Sequence, residues 1–264
     1  MIFGGEYVDG IDLVDISLWL FTIFFIGLVF YLQAESRREG YPEEHDTTGR
    51  VNTARPFFER MKKRFRLPHG REDYVPEDAP RDARELAMRR TAAFAGAPYV
   101  PTGDPMLDGV GPASFAERQD VPDLTLDGEH RIAPYRASPG YKVSEKDPDP
   151  RGMRVLGADG KIAGEIVDLW VDRSEAIIRY YEVGVPMTDG STRRVLLPVP
   201  FASINSNRGR EHGVNVKAIT AEQFTRVPVT RDPDSVTRLE EDKITGYYGG
   251  GTLYAMKSRQ EPLL

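Results

Sequence analysis

Residues Ile16–Ala34 read ISLWLFTIFFIGLVFYLQA, nineteen positions without a charged side chain. At 1.5 Å per residue, a helix of that length runs roughly 28 Å, close to the hydrocarbon thickness of a bilayer. Trp19 lies near one end and Tyr31 near the other, with large apolar residues between them. That is the pattern of a span whose aromatic rings rest at the two interfaces. A buried core helix and a signal peptide are the competing readings. A signal peptide needs basic residues before its apolar run and small residues at a cleavage site. Here Glu6, Asp9, Asp12 and Asp15 precede the run, no Lys or Arg does, and Leu32-Gln33-Ala34-Glu35 makes a poor cleavage site. A retained single-pass anchor is therefore expected. Arg37 and Arg38 follow it, and positive charge on the C-terminal side alone places residues 35–264 in the cytoplasm and the acidic N-terminus outside.

Beyond this span the 264-residue chain is polar. Its mean hydropathy of −0.45 excludes a polytopic membrane protein. Aromatics at 10% and a net charge of only −6 argue against wholesale disorder. The absence of cysteine excludes a disulfide scaffold, thiolate zinc sites, iron–sulfur clusters and cysteine nucleophiles. The charge is sorted by position. Residues 1–34 hold four acidic and no basic residues, residues 35–71 hold ten basic against six acidic, and the remainder holds 25 basic against 31 acidic. The mild overall acidity gives no case for nucleic-acid binding.

From 36 to about 115 prolines recur at 42, 56, 68, 76, 80, 98, 101, 105 and 112, too often for long helices or central strands. One helix is expected within it, over Arg81–Phe94 (RDARELAMRRTAAF), from its Ala, Leu, Glu and Arg content. Phe57, Phe58, Phe65, Tyr74, Phe94 and Tyr99 favour a segment laid against another surface, since disordered linkers are poor in aromatics. Arg60, Lys62, Lys63, Arg64, Arg66 and Arg71 form a basic cluster suited to anionic lipid headgroups or to an acidic partner.

The character changes over Met153–Ile219. Asp159-Gly160 and Asp189-Gly190 are tight-turn dipeptides, and Lys161–Asp172 (KIAGEIVDLWVD) and Ile177–Val183 (IIRYYEV) are rich in strand-forming residues. In the first, the apolar phase moves from Ile162/Ile166 to Val167/Leu169/Val171, which predicts a bulge or strong bend. Val195–Phe201 reads as an edge or bent strand, and Val214–Ile219 alternates with Val214, Val216 and Ala218 inward. Short strands between frequent turns point to a small antiparallel barrel or sandwich. Val236–Tyr248 is expected to be a helix capped by Ser235 and stopped by Gly249–Gly251.

Catalytic signatures are missing. No G-x-S-x-G, Walker loop, H-E-x-x-H or EF-hand loop occurs, and Gly109-Val110-Gly111 is broken by Pro112. The four histidines, His45, His69, His130 and His212, lack metal-ligand spacing. No catalytic residue and no metal site is expected.

Several segments, in order behind one anchor, do carry a family signature. They are Tyr31-Leu32-Gln33 with Arg38–Pro42 (REGYP), Leu67–Arg71 (LPHGR), the irregular run Pro101–Ser114 (PTGDPMLDGVGPAS), Ile162–Asp172, Leu239–Gly246 (LEEDKITG) and Gly250-Gly251. Over nearly its whole length the chain resembles the H subunit of the photosynthetic reaction centre of purple bacteria. The resemblance implies a short extracytoplasmic tail (1–11), a transmembrane helix (12–35), an extended surface-lying linker (36–115) and a mainly-β cytoplasmic domain (116–264). That domain would be a small PRC-type antiparallel barrel with a C-terminal helix, in a bacterial inner, intracytoplasmic membrane.

It further implies a subunit that is not an enzyme and binds no pigment itself. Its partners would be the L and M subunits, which hold bacteriochlorophyll, bacteriopheophytin, quinones and non-haem iron. Membrane lipids are a further expected contact, and a cytochrome subunit or light-harvesting complex are additional candidates. The implied roles are stabilising the L–M core, covering the quinone region and conducting protons to the secondary quinone. Glu175, after Asp172-Arg173-Ser174, matches the family's carboxylate near that quinone, and Asp127 matches an acidic residue at the cytoplasmic entrance. Where the family carries two histidines after Asp-Gly, this chain reads Asp127-Gly128-Glu129-His130 and is two residues shorter. Glu129 thus stands in the approximate place of one histidine, and the resemblance makes Glu175, Asp172, Asp127, Glu129 and His130 the expected proton-transfer residues. The competing readings are a membrane-tethered PRC-barrel scaffold or adaptor with no photosynthetic partner, and an anchored enzyme of unrecognised type, against which the missing catalytic motifs argue.

Overall fold

The computed structural model describes residues 7–8, 11–37, 45–50, 62–75, 84–205 and 213–260. Arg60, Phe57, Phe58, Tyr41, Pro42 and His212 lie outside these residues. Contacts divide the chain into two compact units, Met1–Arg81 with Ala93–Gly96, and Asp82–Ala92 with Ala97–Leu264.

In the first unit, β1 (Tyr7–Val8) pairs antiparallel with β2 (Ile11–Asp12), which leads into α1 (Leu13–Ser36). Asp12 caps α1, its carboxylate accepting the Val14 N–H at 2.9 Å, and Asp15 adds negative charge to the first turn. Both complement the positive end of the helix dipole. Ser17 and Thr22 donate their hydroxyls to the Leu13 and Leu18 carbonyls, so neither needs a partner outside the helix. Trp19, Ile23 and Phe24 are among a ring of exposed apolar side chains. Among the described residues, α1 is the one helix long and apolar enough to cross a membrane. Farther on, β3 (Lys63–Arg66) and β4 (Glu72–Val75) form an antiparallel hairpin around the Pro68-His69-Gly70 turn.

The second unit opens with a hairpin of β5 (Met88–Arg90) and β6 (Tyr99–Pro101). The helix expected over Arg81–Phe94 is absent from its described part, residues 84–94. Leu86 and Phe94 remain exposed, so a helix there would have no apolar face to bury. Propensity alone does not sustain so short a helix in water, and pairing with β6 satisfies the backbone instead.

A seven-stranded sheet follows, made of β7 (Ile132–Pro134), β8 (Arg154–Leu156), β9 (Ile162–Asp172), β10 (Ile177–Pro186), β11 (Thr192–Pro198), β12 (Ala202–Asn205) and β13 (Gly213–Val216). Its order is β11-β10-β9-β8-β13-β12, with β7 also on β9. Every pair is antiparallel except β8–β13, which is parallel, and the path stays open between β11 and β12. The bulge expected in β9 falls at Val167, which is skipped between the pairs Ile166↔Val183 and Asp168↔Glu182. The extra residue turns Val167 outward while Ile166, Leu169 and Trp170 stay buried.

The C-terminal helix α2 spans Arg238–Tyr254, later in start and longer in reach than the sequence suggests. Its cap is Thr237, not Ser235. The Thr237 hydroxyl accepts the Glu240 N–H while Glu240 accepts the Thr237 N–H, a reciprocal capping box. Gly249–Gly251 do not stop it. They lie on a face pressed against chain neighbours: a Cβ on Gly250 would stand 2.5 Å from the Ala113 Cβ, and one on Gly251 2.4 Å from Ile219 Cγ2. Trp170, Phe224, Tyr247, Tyr248, Ile166, Leu197 and Ile244 are fully buried between helix and sheet.

Candidate functional site

The described residues hold no cluster of His, Cys, Asp or Glu able to bind a metal ion. A dense arrangement of ionisable groups instead lies at one end of the sheet, where β9 turns into β10. Strand β7 runs beside β9 with Ile132 opposite Asp172, which brings the preceding Arg131 to the end of β9. On β10 the register slips between Ile178 and Tyr180, leaving Arg179 as the extra residue. Such a bulge re-aims its side chain, and Arg179 points its Nε at Asp172, 3.1 Å away.

Asp172 is completely buried. Its carboxylate is met by Arg131, with Nη2 at 3.0 Å, by Arg179, and by the backbone N–H groups of Ser174 and Glu175 at 3.0 and 3.1 Å. Burial alone would raise its pKa. The hydrogen bonds from Arg131, the Glu175 amide and Arg179 outweigh that, and the carboxyl is held below the usual aspartate value. Glu175 shares both guanidiniums, at 2.6 Å from Arg131 Nη2 and 3.0 Å from Arg179 Nη2. It differs from Asp172 in that 48% of its side chain is exposed. One carboxylate is thus sealed and fixed as an anion, and the other is in contact with solvent.

The remaining partners come from farther away in the chain. Asp123 approaches Arg131 at 3.4 Å and Arg238, in the first turn of α2, at 3.8 Å. Glu241 on α2 accepts the Tyr180 hydroxyl at 2.7 Å. Burial pushes the Glu241 carboxyl upward, against the Tyr180 hydrogen bond and the charge of Arg179. The same burial, together with the Glu241 charge, pushes the Tyr180 hydroxyl upward.

On the other side of the β9–β10 turn lies a cleft of about 640 Å³, lined by Asp127, Glu129, Tyr141, Arg173 and Ser174 among others. Glu129 pairs with Arg173 at 2.9 Å, and the Arg173 guanidinium also donates to the Ala137 carbonyl at 2.7 Å. Asp127 and His130 are exposed on the neighbouring turn. The structure therefore brings Glu175 and Asp172 into one network and sets Asp127 and Glu129 beside Arg173, the residue that follows Asp172. His130 is exposed and does not line the cleft. Sequence reasoning missed Arg131, Arg179, Asp123, Tyr180 and Glu241. None has a motif, and they meet only through strand register and the docking of α2.

The basic residues of the linker lie in the other unit. Lys62, Lys63, Arg64 and Arg66 are exposed on or beside β3, with Arg71 partly covered just before β4. Arg64 is ion-paired with Glu72, which lowers the Glu72 carboxyl below its usual range.

Compared with known families, residues 5–137 match the model described as "Photosynthetic reaction centre, H-chain N-terminal region", and residues 143–223 match the PRC-barrel domain.

Proposed function

Because the chain belongs to the H-chain family of the photosynthetic reaction centre, its residues 5–137 alone covering half the sequence, we propose that it caps the cytoplasmic side of an L–M core and helps conduct protons to the secondary quinone. The family is that of a structural subunit, and the pigments, quinones and iron belong to its partners. In this reading residues 12–35 cross the membrane, 36–115 form an extended surface-lying linker, and 116–264 form the cytoplasmic cover. A cytochrome subunit or light-harvesting complex would add further contacts.

The observation that carries the proton role is the contrast between the two carboxylates of one network. A doubly reduced quinone beneath a protein cap needs protons from water, and unsupported charge cannot cross a low-dielectric layer. Protons must pass between ionisable groups within hydrogen-bond reach. Asp172, locked by two guanidiniums and two amides, serves as the fixed anion that positions Arg131 and Arg179. Glu175, on the same guanidiniums but half exposed, is the group free to exchange protons with solvent. Asp127 and Glu129, lining the adjoining cleft, gather protons at the entrance, with the exposed His130 next to them in the chain.

Glu175→Gln keeps the shape of the side chain and removes its proton. In the assembled complex it is expected to slow flash-induced proton uptake and the second, proton-coupled electron transfer by roughly tenfold or more. The first electron transfer between quinones should be unchanged. Normal proton uptake and quinone turnover in that variant would sink the assignment.

A further inference from the structure

The basic cluster of the linker is separated by 28 positions from the end of α1, yet the fold returns it there. Glu35 is the first charged residue after the apolar run, and its carboxylate accepts the Lys63 ammonium at 2.6 Å. Glu35 is the more covered of the pair, with 19% of its side chain exposed against 44% for Lys63. This bond ties β3 to the boundary between the apolar and polar parts of α1, which in a bilayer spanned by α1 would lie at the depth of the lipid headgroups.

The hairpin is built to present charge at that depth. Its register pairs Lys63 with Val75, Arg64 with Tyr74, Phe65 with Asp73 and Arg66 with Glu72. Strand alternation puts Lys63 and Phe65 on one face, Arg64 and Arg66 on the other, and all four side chains are exposed. Residues 62–75 carry five Lys or Arg against two Asp or Glu. Phe65 and Tyr74 are exposed as well, the aromatic type that settles at a membrane interface. The turn is closed by a hydrogen bond from the Leu67 N–H to the Arg71 carbonyl, with His69 and Gly70 both left-handed. The remainder of the chain past residue 71 is net acidic, so the basic surplus is confined to the segment next to the span.

We propose that the β3–β4 hairpin is a seat for anionic phospholipid headgroups, held at headgroup depth by the Lys63–Glu35 bond. Depth matters because the attraction of a basic residue to an anionic surface, about 1 kcal/mol each, fades within a Debye length of about 8 Å at physiological salt. This role is independent of the proton pathway, and its test involves neither quinone nor light.

The test uses the full chain in mild detergent, offered an equimolar mixture of phosphatidylglycerol and phosphatidylcholine, with retained lipid counted by native mass spectrometry. The wild-type chain is expected to retain phosphatidylglycerol preferentially, and added salt to erode the preference. The double variant Lys62→Gln/Arg66→Gln leaves the Lys63–Glu35 and Arg64–Glu72 pairs in place. It should cut the preference by roughly thirtyfold, the equivalent of two such charges. Glu35→Gln separates seating from mere charge. It makes the chain more positive, so charge counting alone predicts tighter binding, whereas loss of the seat predicts a weaker preference. Equal retention of the two lipids by the wild-type chain would overturn the proposal. So would a preference unchanged in the double variant or strengthened by Glu35→Gln. Loss of a co-purifying acidic protein from the double variant, with lipid retention intact, would replace the lipid by a protein partner.

Discussion

At the scale of single residues, Asp172 shows how context assigns different tasks to chemically similar groups. It closes β9 as Glu175 opens the way into β10, and both touch Arg131 and Arg179, yet one is sealed and the other half exposed. Asp172→Asn would leave two guanidiniums facing a neutral amide in a buried place. Breaking a buried ion pair costs about 3–5 kcal/mol, and the partial exposure of both arginines puts the expected loss near the lower end. Trp170 fluorescence during urea unfolding of the full chain in detergent measures it. The pH dependence carries the same signature. Because the Asp172 carboxyl is lowered in the folded state, its contribution is complete above the ordinary aspartate range and disappears as pH falls through its folded value. The Asn variant should show a flatter acid limb than wild type; an equally steep limb would assign the acid loss to other groups. In sequence Glu175 was recognisable as a turn carboxylate with a family counterpart, and Asp172 only as the acidic residue that ends the strand before it. Their guanidinium partners depend on a β10 bulge and on the β7–β9 register, neither of which local sequence specifies.

At the scale of elements, α2 and the run Pro101–Ser114 explain one another. The run has no periodicity because, between Pro101 at the end of β6 and a single 3-10 turn at Gly111–Ala113, it forms no regular element. Met106, Val110 and Ala113 are its buried points, Gly109 and Gly111 take left-handed backbone, and Asp104 ties it to Arg226 at 2.8 Å. Its last residues lie on the glycine face of α2: a Cβ on Gly246 would stand 2.8 Å from the Ala113 carbonyl oxygen, and one on Gly249 2.9 Å from that of Pro112. Two opposing effects bear on Gly250→Ala. Helix propensity would gain about 0.5–1 kcal/mol, while overpacking against Ala113 costs about 1–3 kcal/mol. Packing should win, lowering stability by roughly 1–2 kcal/mol in urea unfolding of the full chain. Gly27→Ala in α1, where no atom lies within 4 Å of the added carbon, is the control and should not destabilise. An equal or higher midpoint for Gly250→Ala would mean that the contact yields easily. The same packing explains why Gly249–Gly251, which resemble a helix stop, are instead helix interior.

At the scale of the whole molecule, the borders of the family matches and the compact units do not coincide. The N-terminal match ends at residue 137, but residues 97–137 fold within the second unit, and α2 lies beyond both matches. Residues 97–137, the seven-stranded sheet and α2 therefore belong to one compact unit. The flanking charges of α1 give an expectation for the side of the membrane on which that unit lies, and the absence of cysteine from the sequence makes it directly measurable. Glu145→Cys, on an exposed loop, should react with a membrane-impermeant maleimide in inside-out vesicles and not in intact spheroplasts. The opposite result would reverse the topology.

The sequence by itself determined the long apolar helix, the charge sorting around it, the strands β9 and β10 and the presence of a bulge in β9, each of which rests on composition or periodicity within a short window, where the physical signal is local. The family was carried instead by a resemblance spread over nearly the whole chain, and the structure set the bulge at Val167. Tertiary structure alone decided that Arg84–Phe94 is not helical, that Thr237 rather than Ser235 caps α2, and that four glycines face inward. It also decided that Arg131, Arg179 and Glu241 converge on the carboxylates of the β9–β10 turn, and that Lys63 reaches back to Glu35. Those outcomes depend on which surfaces are pressed together across tens of residues, and burial, close approach and ion pairing between distant segments leave no local pattern in the chain.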